Sequence, residues 1–181
     1  MDKVLIAYAT WAGATHEVAD EIAKVLKEKN FEAVVASAGE IKSISEYQTV
    51  ILGSSIHASK TVKGFNQFLK RFHNKLDDKP IALFVVCANL MDDCEKNRTE
   101  TLGWLKNTIG NYPDLKPISI GLFGGALLTE GEDFKRLNFM FRKLIESMKE
   151  NVIKEHGKSD FRDLTKIRAW AEEVSKQIKA K

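Results

Sequence analysis

The chain is divided by five short apolar runs, at residues 3–9, 31–36, 50–53, 81–88 and 118–123, and that division limits the fold more than any other feature. Runs this short and this apolar read as parallel strands buried on both faces. Most of the gaps between them change to helical period. After the first run, Val18, Ile22, Val25 and Leu26 recur at helical spacing, with charged residues on the other faces. The same reading predicts a short helix over 40–47, longer helices over 62–76 and 95–109, and a closing helix over 162–179. Strands alternating with helices imply one parallel sheet with helices on both sides. Right-handed crossovers then make a doubly wound sandwich the simplest topology. The 181 residues fit a single domain, 1–181, large enough to bury a real core.

About thirty residues, 130–161, exceed what five strands need. Turning 100° per residue from Phe134 places Met140, Leu144, Leu137, Met148, Phe141 and Ile145 in one continuous apolar arc, with Phe139 outside it. The segment reads as a helical insertion between the fifth strand and the last helix, ended by the breaker His156–Asp160. Its arc can dock on the domain, on a second subunit or on lipid, and docking on the domain is the favoured reading of these three.

Composition excludes several function classes. The net charge of +3 is mild, and its basic stretches (60–79 and 134–149) carry no nucleic-acid motif. Cys87 and Cys94 match no zinc spacing and form no disulfide framework; Cys87 reads as apolar filler in a strand. No apolar run approaches the roughly 20 residues of a membrane span. Met1-Asp2-Lys3 leads directly into a strand with no cleavable signal pattern, which points to the cytoplasm, with the 132–150 helix offering a peripheral membrane contact.

Open parallel sheets bind ligands beyond the carboxyl ends of their strands. There the first strand runs into Thr10-Trp11-Ala12-Gly13-Ala14-Thr15, and helical period follows at once. Two hydroxyls, a glycine and the free amides of a helix start form a phosphate cradle. Neither the dinucleotide nor the nucleoside-triphosphatase glycine pattern is present, and the loop holds no Lys or Arg. Neutral donors suit a terminal phosphate monoester. Alternatively, Thr10 or Thr15 only caps the helix.

This loop resembles the flavodoxin phosphate signature [ST]-x-[ST]-G-x-[ST], matched by Thr10, Gly13 and Thr15, with Ala12 replacing one hydroxyl. The resemblance implies the flavodoxin-like strand order 2-1-3-4-5 and flavin mononucleotide (FMN) as cofactor. It also implies that the loops after strands three and four hold the flavin ring, through Ser54, Ser55, Ile56 and His57 and through Ala88, Asn89 and Leu90. Gly124 and Gly125 close the site from strand five. Those loops have no aromatic residue where many flavodoxins place one, so Ile56, His57 and Leu90 would line the ring with help from Trp11. His57 reads equally as an ordinary loop histidine, and Asn89 as a turn residue.

A narrower resemblance extends along nearly the whole chain. Gly53-Ser54-Ser55-Ile56, Phe65-Asn66-Gln67-Phe68, Asn89-Leu90, Gly125-Ala126-Leu127, the insertion and Trp170-Ala171 are similar to the menaquinone-dependent protoporphyrinogen IX dehydrogenases of bacteria. That similarity implies oxidation of a porphyrinogen with a quinone as acceptor. The insertion departs from the subgroup, because the acidic Glu130–Asp133 stretch stands where the subgroup is rich in arginine and tyrosine. A flavodoxin that shuttles electrons between partner proteins shares the fold and the cofactor. A nucleotide-free interaction module shares the fold alone. A phosphoacceptor receiver is excluded, since Thr10-Trp11, Ser54-Ser55 and Leu127-Leu128 stand where its acidic residues and lysine belong.

Overall fold

The computed structural model describes residues 2–180. Strands β1 (Lys3–Ala9), β2 (Glu32–Ser37), β3 (Thr49–His57), β5 (Ile81–Cys87) and β6 (Ser119–Gly124) form a parallel sheet in the order β2-β1-β3-β5-β6. Counted without the two-residue β4 (Lys60–Thr61), this is the expected 2-1-3-4-5 order. The register aligns Tyr8 with Gly53, Gly53 with Phe84, and Cys87 with Gly124, so the strands finish along one carboxyl edge.

Two apolar layers sandwich the sheet. Helices α1 (Ala14–Glu28) and α6 (Leu164–Lys179) cover one face, with Ile22, Leu26, Ile167 and Val174 packed on Ile6, Ile51 and Phe84. Helix α2 (Lys63–Phe72) covers the other face with Phe65, Phe68 and Leu69, and α3 (Glu95–Ile109) adds Leu105. A Cβ on Gly53 would lie 2.0 Å from the Phe84 ring, so this close approach in the middle of the sheet requires glycine.

Three expectations are corrected. Residues 40–47 form turns rather than a helix. Ile41, Ile44 and Tyr47 still reach the core, but the Ser43 hydroxyl bonds the Ser45 amide and hydroxyl, a local alternative to the helical ladder. Strand β3 continues past residue 53 to His57 and turns back into β4 through Ala58 and Ser59, both with positive φ. The insertion is two helices, α4 (Glu132–Lys135) and α5 (Phe139–His156). Asn138 separates them because its side chain accepts from the Phe141 amide and starts a new helix. The break divides the apolar arc: Phe134 and Ile145 are buried, Met140 and Leu144 are exposed, and Phe141 and Met148 are partly exposed at the groove side of the helix. Docking on the domain therefore accounts for only part of the arc. Left-handed Gly157 ends α5 within the expected breaker.

Candidate functional site

The phosphate loop follows from how β1 passes into α1. Gly13 is the N-cap of α1, with φ +100°, and no side chain caps the helix. Its carbonyl accepts from the His16 and Glu17 amides, which leaves the earlier amides of the first turn without intrahelical acceptors. Thr10 Oγ1 accepts from the Gly13 amide at 2.9 Å and fixes the turn. The alternative reading of Thr15 as a helix cap does not hold. Its side chain is fully buried, and Oγ1 has no hydrogen-bond partner. Ser55 Oγ is buried and unpartnered in the same way. Thr10, Thr15 and Ser55 line one cavity of about 250 Å³. These two hydroxyls, without protein partners in one cavity, are available to bond a ligand there.

A second cavity of about 440 Å³ continues the first, sharing Ile56, Ala58, Ala88 and Met91 with it. Its outer end is flanked by Asn89, Asp92, Trp104 and His156. The groove thus has a polar end at the helix start and an apolar middle beneath a planar-sided outer end. No Lys or Arg lines either part.

Of the residues expected in the site, Thr10, Trp11, Ala12, Ala14, Thr15, Ser55, Ile56, His57, Ala88, Asn89 and Gly125 line this groove, while Gly13 shapes the loop beside it. Three lie elsewhere. Ser54 is fully buried, donating to the Ser55 carbonyl and accepting from the Val62 amide, and so holds β3 to the start of α2. Leu90 is buried beneath the 3-10 turn that follows β5. Gly124 faces the Phe161 carbonyl, which a Cβ would approach to 2.2 Å. The Asn89 amide bonds the Asn97 carbonyl at 3.2 Å, so the side chain braces its loop while lining the groove.

Sequence reasoning missed Met91, Trp104, Met148, Ser159 and Phe161. Met91 belongs to the turn after β5, whereas the others arrive from α3, α5 and the end of the insertion, none of which carries a ligand-loop pattern. Aromatic cover comes from outside the two loops, as expected for Trp11 and with additions from the helices. Trp11 stacks on His57 at 4.3 Å and meets the edge of Phe141 at 5.9 Å, and Trp104 reaches the outer end from a helix. The 159–161 segment closes the wall by pairing with the end of β6: the Leu127 amide donates to Ser159, and the Phe161 amide to Gly125.

Residues 5–160 match the family model described as a flavodoxin domain. The chain belongs to the flavodoxin-domain family. A protoporphyrinogen IX dehydrogenase [quinone] of Leishmania major is 29% identical over 147 residues, covering 80% of this flavodoxin-domain chain. The match spans only 61% of that relative's own length. The enzyme of the same name from Escherichia coli K12 is 30% identical over 128 residues, covering 69% of each chain. Among solved structures, a Fusobacterium nucleatum flavodoxin bound to flavin mononucleotide overlays with a TM-score of 0.53 at 15% identity, covering 98% of this chain and 99% of its own. FMN is the cofactor that family membership implies, and the two orphaned hydroxyls fit its phosphate and ribityl groups.

Proposed function

We propose that the protein binds FMN along this groove and oxidises protoporphyrinogen IX, with a quinone of the menaquinone type as electron acceptor. The observation that carries the cofactor is the orphaned Thr15 hydroxyl beside the free first-turn amides of α1. Thr15 and those amides would donate to the phosphate, the helix dipole would favour its charge, and Ser55 would face the ribityl chain. Ile56, Ala58, Ala88 and Met91 exclude water from the middle of the groove. The outer end between Asn89, Asp92 and Trp104 leaves an approach for a second reactant. When bound, FMN supplies two-electron chemistry that accepts hydrogen from one reactant and returns it to another. Hydrogen pairs leave the porphyrinogen in successive turnovers, and each pair reduces one quinone to its quinol. We assign no side chain as acid or base. His57 is the one residue beside the groove whose replacement tests for such a role.

The substrate assignment is supported by the two curated relatives, both named for this reaction. A quinone acceptor would be met at a membrane, and the surface of α5 supports that setting. Met140 and Phe139 are 80% and 66% exposed, and Lys143 and Lys149 lie on the same helix. An apolar ridge with cations suits peripheral contact with anionic lipid at the cytoplasmic face. No helix among the described residues is long and apolar enough to cross the bilayer.

The test is porphyrin fluorescence during anaerobic incubation of FMN-loaded protein with protoporphyrinogen IX and a menaquinone analogue. We expect a rate well above that of free FMN. A rate equal to free FMN, in protein whose flavin is bound and reducible, favours a carrier that passes electrons between partner proteins.

A further inference from the structure

Beyond the flavin groove, on the other side of the Trp11–His57 stack, lies a separate cavity of about 590 Å³. Trp11 and His57 line both spaces and form the wall between them. The far side of this cavity is cationic. Lys63 enters from the start of α2 and Arg136 from the turn after α4, and neither makes an ion pair or a side-chain hydrogen bond among the described residues. Tyr8 supplies a third donor. It lines the cavity with only 8% of its surface exposed, and its hydroxyl has no hydrogen-bond partner among the described residues.

One anionic side chain, Asp133, also lines the cavity, but its carboxylate is already held by His16 Nδ1 at 3.0 Å. The His16 ring stacks on Tyr8 at 4.2 Å, so the acid, the histidine and the tyrosine form one packed unit that joins α4 to β1 and α1. Burial and the nearby Asp133 charge push the Tyr8 hydroxyl up to about 12, which keeps it a proton donor near neutrality. The first turn of α2 contains no acidic residue and no side-chain cap, so its amides add positive potential. Two free cations and an unpartnered hydroxyl on a mostly buried tyrosine, beside a stacked aromatic wall, are the recognition chemistry of a ring that carries carboxylates.

We propose that this cavity receives the carboxylates of the tetrapyrrole, with Lys63 and Arg136 pairing to them, the Tyr8 hydroxyl donating, and the ring lying across Trp11 and His57 towards the flavin groove. The assignment rests on the porphyrinogen reading above. It also gives the insertion a role in substrate binding, since Arg136 lies between α4 and α5.

The test titrates FMN-loaded protein with protoporphyrin IX and with its dimethyl ester, followed by the porphyrin absorption band. Wild-type protein is expected to bind the diacid at least about tenfold more tightly than the ester, roughly the effect of one charged hydrogen bond. The double variant Lys63→Gln/Arg136→Gln should lose that difference and Tyr8→Phe should reduce it, with FMN affinity unchanged in each. Lys63 and Arg136 are exposed, so these changes leave the core untouched. Equal binding of diacid and ester by wild-type protein overturns the site, as does a difference that survives in the double variant. Displacement of the diacid by millimolar inorganic phosphate also overturns it, because it would show a general anion site. Quinone-dependent porphyrinogen oxidation is measured on the same wild-type sample. Turnover without the diacid preference removes the site alone, whereas neither porphyrin binding nor turnover removes the substrate reading with it.

Discussion

Thr15 shows how a single hydroxyl can oppose stability and serve binding. Its Oγ1 is buried without a partner, so it has lost its water and gained nothing in return. Valine has nearly the same shape and no hydroxyl to desolvate. Thr15→Val is therefore expected to leave the FMN-free protein as stable as wild type, or about 1 kcal/mol more stable, in a denaturant titration. The same change should weaken FMN about tenfold, the order expected for a charge-assisted hydrogen bond, and leave riboflavin unaffected. Equal losses for both flavins, followed by fluorescence quenching, would remove the hydroxyl from phosphate binding. A second local tension lies at Ala58 and Ser59, at φ 48° and 60°, in the two-residue turn between β3 and β4. That geometry is the type I′ hairpin turn, which favours Asn-Gly. Replacing the pair with Asn-Gly should relieve about 1 kcal/mol of left-handed strain and raise the melting temperature by about 3 °C. Because Ala58 and Ser59 line the outer cavity, the same variant reports whether the strained turn shapes the flavin ring site.

Among the elements, α5 is the least covered. Its single fully buried side chain is Ile145, while Phe139, Met140, Phe141 and Leu144 are exposed together. Liposome flotation tests the lipid contact proposed for it: binding to vesicles rich in anionic lipid at low salt is expected, falling as salt screens Lys143 and Lys149. Phe139→Ser/Met140→Ser should abolish flotation without changing FMN affinity, and no flotation of wild-type protein at low salt ends the idea. The same helix marks the limit of what the sequence made legible. The uninterrupted apolar run of β5 and the helical period of α1 were readable because burial imposes both. The apolar arc from Phe134 to Met148 looked continuous because periodicity does not register an N-cap, and Asn138 restarts the helix midway. Residues 40–47 misled for the opposite reason: Ile41 and Ile44 have helical spacing, yet they reach the core from turns. In the site, the Thr10–Thr15 loop was legible because a helix start after the first strand has only a few uses. Trp104, Met148 and Phe161 were not, because tertiary packing brings them to the groove and no local pattern does.

At the scale of the whole molecule, one polar staple ties the end of the insertion to the first helix. After α5 the chain returns through Asp160, and Arg162 binds both Asp160 and Glu17 of α1 at 2.6 Å. The same return segment pairs with the end of β6 and supplies Ser159 and Phe161 to the flavin groove. Arg162 thus connects the helix that starts at the phosphate loop to the wall facing it. Its hydrogen bonds hold the Asp160 carboxyl below the usual carboxylate range, although partial burial acts in the opposite direction. A depressed carboxylate contributes stability that is present above its unfolded value, near 3.8, and is lost as pH falls through the folded value. Arg162→Ala should therefore lower stability by about 1 kcal/mol near pH 7, discounted for solvent exposure, or about 3 °C in melting temperature. The difference from wild type should persist down to about pH 5 and shrink below pH 4, as Asp160 is protonated and wild-type protein loses the same contact. Thermal melts of both proteins from pH 7 to pH 3 measure this directly. FMN affinity should fall in the variant at neutral pH, because Ser159 and Phe161 are no longer held against Gly125. A melting difference independent of pH would assign the role of Arg162 to packing of its aliphatic stem.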